Sequence, residues 1–284
     1  MEQSADVPLS WARRDFEQRM FFRGGRRTQV NTLFTLLLAI VGTVLFYCAL
    51  MPFSEYEYAK WFMQLGTIPY WTVFFSVWAL AILFVKSRKL KFQRKALQYK
   101  VIPNDVDFVL SAANVDNVVD RIYQIVDEPK YFILFNRIVV ALANLRNLGR
   151  VGDVGEILDS QAESDEAALE TSYSLVAGFV WAIPVLGFIG TVLGLSEAIG
   201  GFGTVLQQTE KMSEIKDALR LVTAGLEKAF VTTLIALVAA LFIQLWITFL
   251  KKSEQEFLDE CSEYCTNNIV NHLRIMPFER VAAD

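Results

Sequence analysis

"IPVLGFIGTVLGLSEAIGGFG", residues Ile183 to Gly203, is apolar enough to cross a membrane, yet small residues recur along it every three or four positions. Pro184, Gly187, Thr191, Gly194 and Ala198 fall within about 80° of one another on a helical wheel that advances 100° per residue. The stretch therefore predicts a membrane helix with one narrow, slightly polar face.

The rest of the chain also indicates a membrane protein. It has 284 residues, of which 54% are hydrophobic, and this is too apolar for an ordinary soluble domain. Four runs carry no charge: Thr28–Ser54, Trp61–Val85, Thr171–Ser196 and Ala229–Leu250. Each exceeds the roughly 20 residues that a helix needs to span a bilayer. We expect an all-α integral membrane protein with four spans and long helical extensions.

Basic residues predict the orientation of these spans. Six arginines precede the first run and six basic residues follow the second in "KSRKLKFQRK", whereas residues 51–60 and 197–228 hold five between them. The positive-inside rule then places both termini and the long middle segment in the cytoplasm. The basic clusters at the membrane edge would meet anionic membrane lipid.

These patterns predict five segments. Residues 1–27 form a basic amphipathic segment, 28–85 the first two spans, 86–170 a helical cytoplasmic domain, 171–250 the last two spans, and 251–284 a C-terminal helix. We expect residues 10–22 to lie on the membrane surface as a helix. Its lipid-facing side chains would be Trp11, Phe16, Met20, Phe21 and Phe22.

Several classes of function are disfavoured by composition. The net charge of −4 argues against nucleic acid as a partner. Cys261, Cys265 and the single histidine, His272, are weak grounds for a metal site, and we expect them to be structural. The sequence shows no glycine-rich phosphate loop, paired carboxylates or nucleophile motif. We therefore expect neither an enzyme nor a cofactor.

The fourth span repeats the small-residue pattern of the third. Ala229, Thr233, Ala236 and Ala240 line one face, with Gln244 one turn further along. A short linker after Gly200 makes the two spans antiparallel neighbours and places Thr191 and Thr233 at similar depth. Two interpretations remain open. The small faces pack on a neighbouring helix of the same chain, or they surround a central element, which the bulkier first two spans would enclose from outside.

The stretches "VLGFIGTVLGL" and "GLEKAFVTTLIALVAAL" together resemble the signature of the MotA/TolQ/ExbB proton channel family. The first matches it at Gly187, Gly190, Thr191, Val192 and Gly194, after the proline at Pro184. In the second, Thr233 stands at the recurrent threonine. The resemblance covers residues 173–250, and four spans are similar to the MotA layout. Ala236 replaces a usual glycine, Leu241 and Phe242 replace Ile-Pro, and no rotor-binding charged motif is recognised. A typical flagellar MotA is therefore not expected.

This resemblance implies a mechanism. Five copies would surround two copies of a single-span ExbD/TolR/MotB-like partner in the bacterial inner membrane, each partner carrying a transmembrane aspartate. Ion-motive force would then drive rotation or conformational work. Thr191 and Thr233 would line the ion pathway as neutral donors and acceptors. Gly190, Gly194 and the other small residues would line or pack the pore. The process that this work would drive remains open: it could be motility, gliding, envelope maintenance, nutrient uptake or phage defence.

Two residues leave alternatives open. A second threonine, Thr232, is typical of sodium-driven members, but it lies about 100° from Thr233 on the wheel and could face a neighbouring subunit. Glu197 ends the third span and could form a cation-attracting mouth or pair with Lys228. An intramembrane enzyme based on Glu197 and Thr191 is poorly supported. A non-transporting four-span scaffold is the other alternative to the channel.

Overall fold

The computed structural model describes residues 7–14, 16–20, 22, 24–103, 109–111, 114–148, 152–206 and 212–273. The regular elements of this described part are helices. They are α1 (Trp11–Arg14), α2 (Phe16–Arg19), α3 (Thr32–Leu50), α4 (Glu57–Met63), α5 (Ile68–Gln93), α6 (Val115–Ile125), α7 (Ile133–Leu148), α8 (Asp153–Ser172), α9 (Ser174–Leu206) and α10 (Met212–Asn268). Short 3₁₀ turns occur at Met51–Phe53, Arg94–Gln98, Pro129–Tyr131 and Val270–His272.

Four helical stretches are long and apolar enough to cross a membrane: Thr32–Phe53, Ile68–Gln98, Asp153–Gly200 and Leu219–His272. Each overlaps one of the four predicted runs, and the last two contain theirs completely. The prediction of an all-helical protein with four candidate spans is therefore confirmed for the described residues. The helices also run beyond the apolar stretches. No glycine or proline occurs between Leu226 and Asn268, and α10 therefore continues unbroken past Leu250.

The chain divides into two compact units. The first, here called the membrane unit, consists of Thr32–Phe84 and Tyr173–Phe249. The second, here called the polar unit, consists of Met1–Asn31, Val85–Ser172 and Leu250–Asp284. Most of residues 28–85 and 171–250, the segments predicted to hold the spans, falls in the membrane unit. The predicted terminal and middle segments fall in the other.

Aromatic contacts join three spans of the membrane unit. Phe179 of α9 packs on Trp78 and Phe75 of α5, with ring centroids 4.8 and 5.4 Å apart. Trp78 Nε1 donates a hydrogen bond to Thr35 Oγ1 of α3 at 3.2 Å. The second span therefore contacts both the first and the third.

The N-terminal segment differs from the prediction. Trp11 is 1% exposed; it stacks on Tyr131 at 5.5 Å and meets Phe132 edge-on at 5.3 Å. Glu17 is 0% exposed and forms an ion pair with Lys89 at 2.6 Å. The expectation that Trp11 faces lipid was wrong, because its ring fills the aromatic core of the polar unit. Met20 is exposed. Phe16 and Phe21 lie outside the described side chains, and residues 274–284 of the tail lie outside the described chain.

The middle segment is more than an extension of the spans. It contributes α6, α7 and α8 to a core with the N-terminal segment and the C-terminal part of α10. Ile138, Leu142 and Phe257 are completely buried in this unit. A break between α7 and α8 falls at the predicted "GRVGDVG", of which residues 149–151 are not described.

Candidate functional site

The closest helix contact in the region singled out from sequence joins α9 to α10. A Cβ atom added at Gly187 would lie 2.7 Å from the Cβ of Ala236. One added at Gly194 would lie 2.7 Å from the carbonyl oxygen of Gly225. Both distances are shorter than van der Waals contact, so any larger residue would force the helices apart. Close approach through small residues is the usual way that membrane helices associate, because lipid supplies no hydrophobic drive.

The two small-residue faces pack on each other. Gly187 neighbours Ala236, Gly190 neighbours Thr232, and Gly194 neighbours Ala229; rising numbers on one helix meet falling numbers on the other, so the pair is antiparallel. The predicted residues buried at this level are Gly187, Gly190, Gly194, Ala198, Ala229, Ala236 and Ala240. Of the two interpretations open from sequence, a neighbouring helix of the same chain accounts for these residues.

The two threonines assigned to the pathway lie at the edge of this packed face. Thr233 is half-buried, and its hydroxyl donates to the carbonyl oxygen of Gly187 across the helix interface at 2.9 Å. Thr191 is half-exposed, and its hydroxyl donates to the Phe188 carbonyl of its own helix at 2.6 Å. Neither hydroxyl donates to the other, but both remain available as acceptors along one edge of the pair.

Pro184 lies at the same edge of α9 and is half-exposed. It stands inside the helix and has no backbone N–H, so the carbonyl of Val180 loses its helical donor. A proline is tolerated in a membrane helix only where the freed carbonyl can find another partner. The Val180 carbonyl therefore needs a hydrogen-bond partner other than the backbone N–H of residue 184.

Thr232 lies on the face of α10 that packs on α9, about 100° around the helix from Thr233. It is 2% exposed, its hydroxyl donates to the Lys228 carbonyl at 2.9 Å, and its side chain fills the space that Gly190 leaves. The residue that sequence reasoning linked to sodium thus packs within its own chain. Its hydroxyl is not presented on an outer surface of the protomer.

Glu197 is paired. Its Oε2 lies 2.7 Å from Lys228 Nζ, and its side chain is 67% exposed. Lys228 also lies beside Gly66, where a Cβ would be 3.3 Å from Lys228 Cε. Gly66 adopts φ +94°, a conformation that favours glycine. The geometry therefore provides the ion pair that was one of the two alternatives for Glu197.

The outer faces of α9 and α10 are bulky and apolar. Trp181, Phe188 and Ile199 on α9 are 79, 65 and 64% exposed. Phe230 and Phe242 on α10 are 68 and 67% exposed. These side chains need lipid or other protein around them, because a patch of this kind is not stable in water.

A buried polar cluster in the polar unit was missed by sequence reasoning. Lys86 Nζ lies 2.9 Å from Glu254 Oε2, and each side chain is 1% exposed. Lys86 also donates to Thr28 Oγ1 at 3.0 Å and to Ser172 Oγ at 2.8 Å, and Thr28 donates to Glu254. These four residues flank the four apolar stretches: Thr28 precedes α3, Lys86 follows the apolar part of α5, Ser172 precedes α9, and Glu254 follows the apolar part of α10.

A second buried cluster centres on Asp165 of α8. Its two oxygens lie 2.5 Å from Arg137 Nε and 2.7 Å from Arg27 Nε, and Arg137 also donates to Ser262 of α10 at 2.9 Å. The one signal in the sequence was a charged residue on the otherwise apolar face of each helix. Because the sequence does not show which residues pair in the folded protein, such charged residues are expected to face solvent.

The described residues contain no group of three or more His, Cys, Asp or Glu side chains able to hold a metal. Cys261 and Cys265 are buried in the core of the polar unit as free thiols.

These features define a multi-pass helical membrane protein whose last two spans pack through glycine and alanine and present hydroxyl groups along one edge. Residues 136–263 match the model of the MotA/TolQ/ExbB proton channel family. The match begins in α7 and includes α8, α9 and most of α10, so it is longer than the resemblance over residues 173–250. It supports membership of the chain in this family and a general role as an ion channel. No curated protein and no solved structure matches the chain.

Proposed function

We propose that the protein is the channel subunit of a stator-like unit that converts ion-motive force, carried by protons, into rotation or conformational work. It acts as a homopentamer around two copies of a single-span partner of the ExbD/TolR/MotB kind, in the bacterial inner membrane. The observation that carries this proposal is a contrast. The chain matches a proton channel family, yet residues 32–50, 68–85, 174–196 and 229–250 contain no Asp, Glu, Lys or Arg.

That contrast requires a second chain. A carried proton needs a group that gains and loses it within the membrane, and hydroxyls and amides do not titrate in the accessible range. An ionised aspartate at mid-bilayer costs about 2.5 to 3.5 kcal/mol on insertion scales, and one charge moving through 100 mV yields about 2.3 kcal/mol. The two magnitudes are similar, so a partner carboxylate can cycle between its charged and neutral forms.

The hydroxyl-bearing edge of α9 and α10 suits a position beside that carboxylate. Thr191 and Thr233 present oxygen atoms that can accept or donate without bringing a fixed charge. A fixed charge at this depth would trap the ion. Five such edges around two partner helices cannot all be engaged at once, and each protonation would therefore exchange one contact for another.

Protons are favoured over sodium by the position of Thr232. Sodium binding needs several oxygen ligands converging on one point, and the Thr232 side chain is packed against Gly190. One hydroxyl per helix is left at the edge. The N-terminal segment, the middle segment and the tail belong to one unit, which fits an even number of spans with both termini on one side. The basic residues at the span ends favour the cytoplasm as that side.

Proton uptake by the reconstituted complex tests this proposal. The chain is purified with its co-expressed native partner, placed in liposomes containing a pH-sensitive dye, and subjected to a potassium diffusion potential. We expect potential-driven acidification that the partner's Asp→Asn variant abolishes. Thr233→Val should lower uptake at least tenfold with the oligomer intact. Thr43→Val is the matched control, because the Thr43 hydroxyl donates within its own helix, to Ala39 at 2.7 Å.

A four-span scaffold without transport is the alternative. It predicts that no dye signal arises from any complex, and that changes to the small faces alter assembly alone. Uptake equal to that of empty liposomes, from a complex shown to be intact, would contradict the channel.

A further inference from the structure

Gln244 is the most polar side chain in the four spans. It is the only Asn or Gln in residues 32–50, 68–85, 174–196 and 229–250, which also contain no charged residue. A primary amide offers two N–H donors and an acceptor oxygen. Threonine can satisfy its hydroxyl on its own helix, but an amide in hydrocarbon needs partners from elsewhere.

The described part of the chain supplies no such partner. The Gln244 side chain is exposed and makes no hydrogen bond to any of the residues that the structure describes. Its neighbours Ile243 and Ile247 are 1 and 8% exposed. Helix α10 therefore turns its isoleucines toward the protein and its amide outward.

Gln244 lies on the edge of α10 that carries Thr233. The two residues are eleven positions apart, which places them within about 20° on the helical wheel and about 17 Å apart along the axis. Thr248 follows one turn later, about 40° away. It is exposed, and its hydroxyl donates to the Gln244 carbonyl at 2.9 Å. A row of polar side chains thus runs from Thr233 toward the end of the apolar stretch.

A second polar group lies at the same depth. The antiparallel pairing of Gly187 with Ala236, continued by seven residues on each helix, places Val180 opposite Ile243. The Val180 carbonyl is the one that Pro184 leaves without a helical donor. Water can bridge an amide and a carbonyl that lacks its usual helical donor, because it hydrogen-bonds nearly as well as a direct contact.

We propose that Gln244 lines a water-filled inner section of the ion pathway, between the level of Thr233 and the end of the span at Leu250. This inference rests on the proposed function and extends it to a residue beyond the two stretches that carry the resemblance. The distance supports water as the occupant: Gln244 is six residues, or about 9 Å, from Leu250. The bulky exposed residues at this depth, Leu241, Phe242 and Leu245, are apolar and suit lipid or a neighbouring protomer.

Cysteine accessibility tests the proposal. The exposed native cysteine, Cys48, is first replaced by alanine. The other two, Cys261 and Cys265, are buried and should react little with the reagent. Gln244→Cys and Leu245→Cys are then compared in the intact complex, in inside-out membrane vesicles, with a charged, membrane-impermeant methanethiosulfonate. Leu245 is the matched control, because it is 46% exposed at nearly the same depth but about 100° further round the helix.

We expect Gln244→Cys to react at least tenfold faster than Leu245→Cys, because the thiolate that reacts forms only in water. Equal rates, or no reaction at either position, would overturn the proposal. So would rapid disulfide cross-linking of Gln244→Cys between two copies of the chain under a copper oxidant, since a second copy would then be the occupant.

The rate of cysteine modification can be measured without any proton transport, so it tests this inference separately from the proposed function. A reactive Gln244→Cys, together with a complex of the unmodified chain that takes up no protons, would support the water-lined section and count against the proton channel. Normal uptake by a complex in which Gln244→Cys is unreactive would overturn this inference alone. Gln244→Asn should keep uptake within about threefold of the unmodified chain, whereas Gln244→Leu should lower it at least tenfold.

Discussion

Lys86 and Glu254 form a fully buried ion pair at 2.9 Å, and each belongs to a helix that also contains one of the apolar spans. Thr28 and Ser172 complete the pair's hydrogen bonds. The four chain segments that lead into or out of the spans therefore meet at one ammonium group. This contact fixes the register between segments that are far apart in sequence.

Glu254→Ala should destabilise the polar unit strongly. Removing one partner of a buried pair leaves an uncompensated charge and typically costs about 3 to 5 kcal/mol. The free energy of unfolding in detergent measures this loss. Glu256→Ala is the control, because Glu256 is 54% exposed and lies 3.9 Å from Arg94, a geometry worth about 0 to 1 kcal/mol. A Glu254→Ala loss as small as that of Glu256→Ala would show that the pair is not buried.

The contact between Gly187 and Ala236 predicts the effect of added bulk. Gly187→Val should separate α9 from α10, because its first carbon already lies 2.7 Å from the Ala236 Cβ. Overpacking of this kind costs about 1 to 3 kcal/mol, and it also displaces the carbonyl that accepts from Thr233. Thermal unfolding of the purified oligomer gives the measurement.

Gly178→Val provides the comparison on the same helix, since nothing lies within 4 Å of a Cβ placed there. We expect Gly178→Val to unfold within a few degrees of the unmodified protein and Gly187→Val to unfold clearly earlier. Equal midpoints would contradict the helix contact described above.

The spans and their small faces could be predicted from sequence because both depend on local pattern. Twenty apolar residues determine a span, and a glycine every few residues determines where another helix can approach. What fills the gap between two small faces depends on tertiary packing. A helical wheel groups Thr191 with Gly187 on one face, but it does not show that Ala236 of the same chain packs on that face. From sequence, a neighbouring helix and a central element were therefore both possible.

The polar clusters could not be predicted for a related reason. Lys86 and Lys89 stand in a run of basic residues that reads as a membrane-edge cluster, and the positive-inside rule treats all its members alike. The structure separates them: Lys86 and Lys89 are buried against Glu254 and Glu17, whereas Arg88 and Lys91 are exposed. Partners 72 and 168 residues away decide the difference.

Trp11→Ala tests the revised position of the N-terminal segment. Trp11 packs between Phe92, Tyr131 and Phe132, and emptying such a site costs about 3 to 5 kcal/mol. We expect a large loss of stability in detergent, where no bilayer is present. Met20→Ala, at a 53% exposed position, should change stability by less than about 0.5 kcal/mol. If Trp11 instead lay on lipid, its replacement would weaken membrane association and leave stability in detergent unchanged.

Glu197→Gln decides between the two roles considered for Glu197. Glu197 is 67% exposed in its pair with Lys228, and a pair at the surface contributes about 0 to 1 kcal/mol, reduced further by salt. If pairing is its whole role, Glu197→Gln and Lys228→Gln should both keep proton uptake by the reconstituted complex within about twofold. A cation-attracting mouth predicts an asymmetry. Loss of the carboxylate would then lower uptake several-fold, most clearly at low ionic strength, whereas loss of the ammonium would raise it. We expect the symmetric result, because the carboxylate already has a cation at 2.7 Å that cancels most of its field.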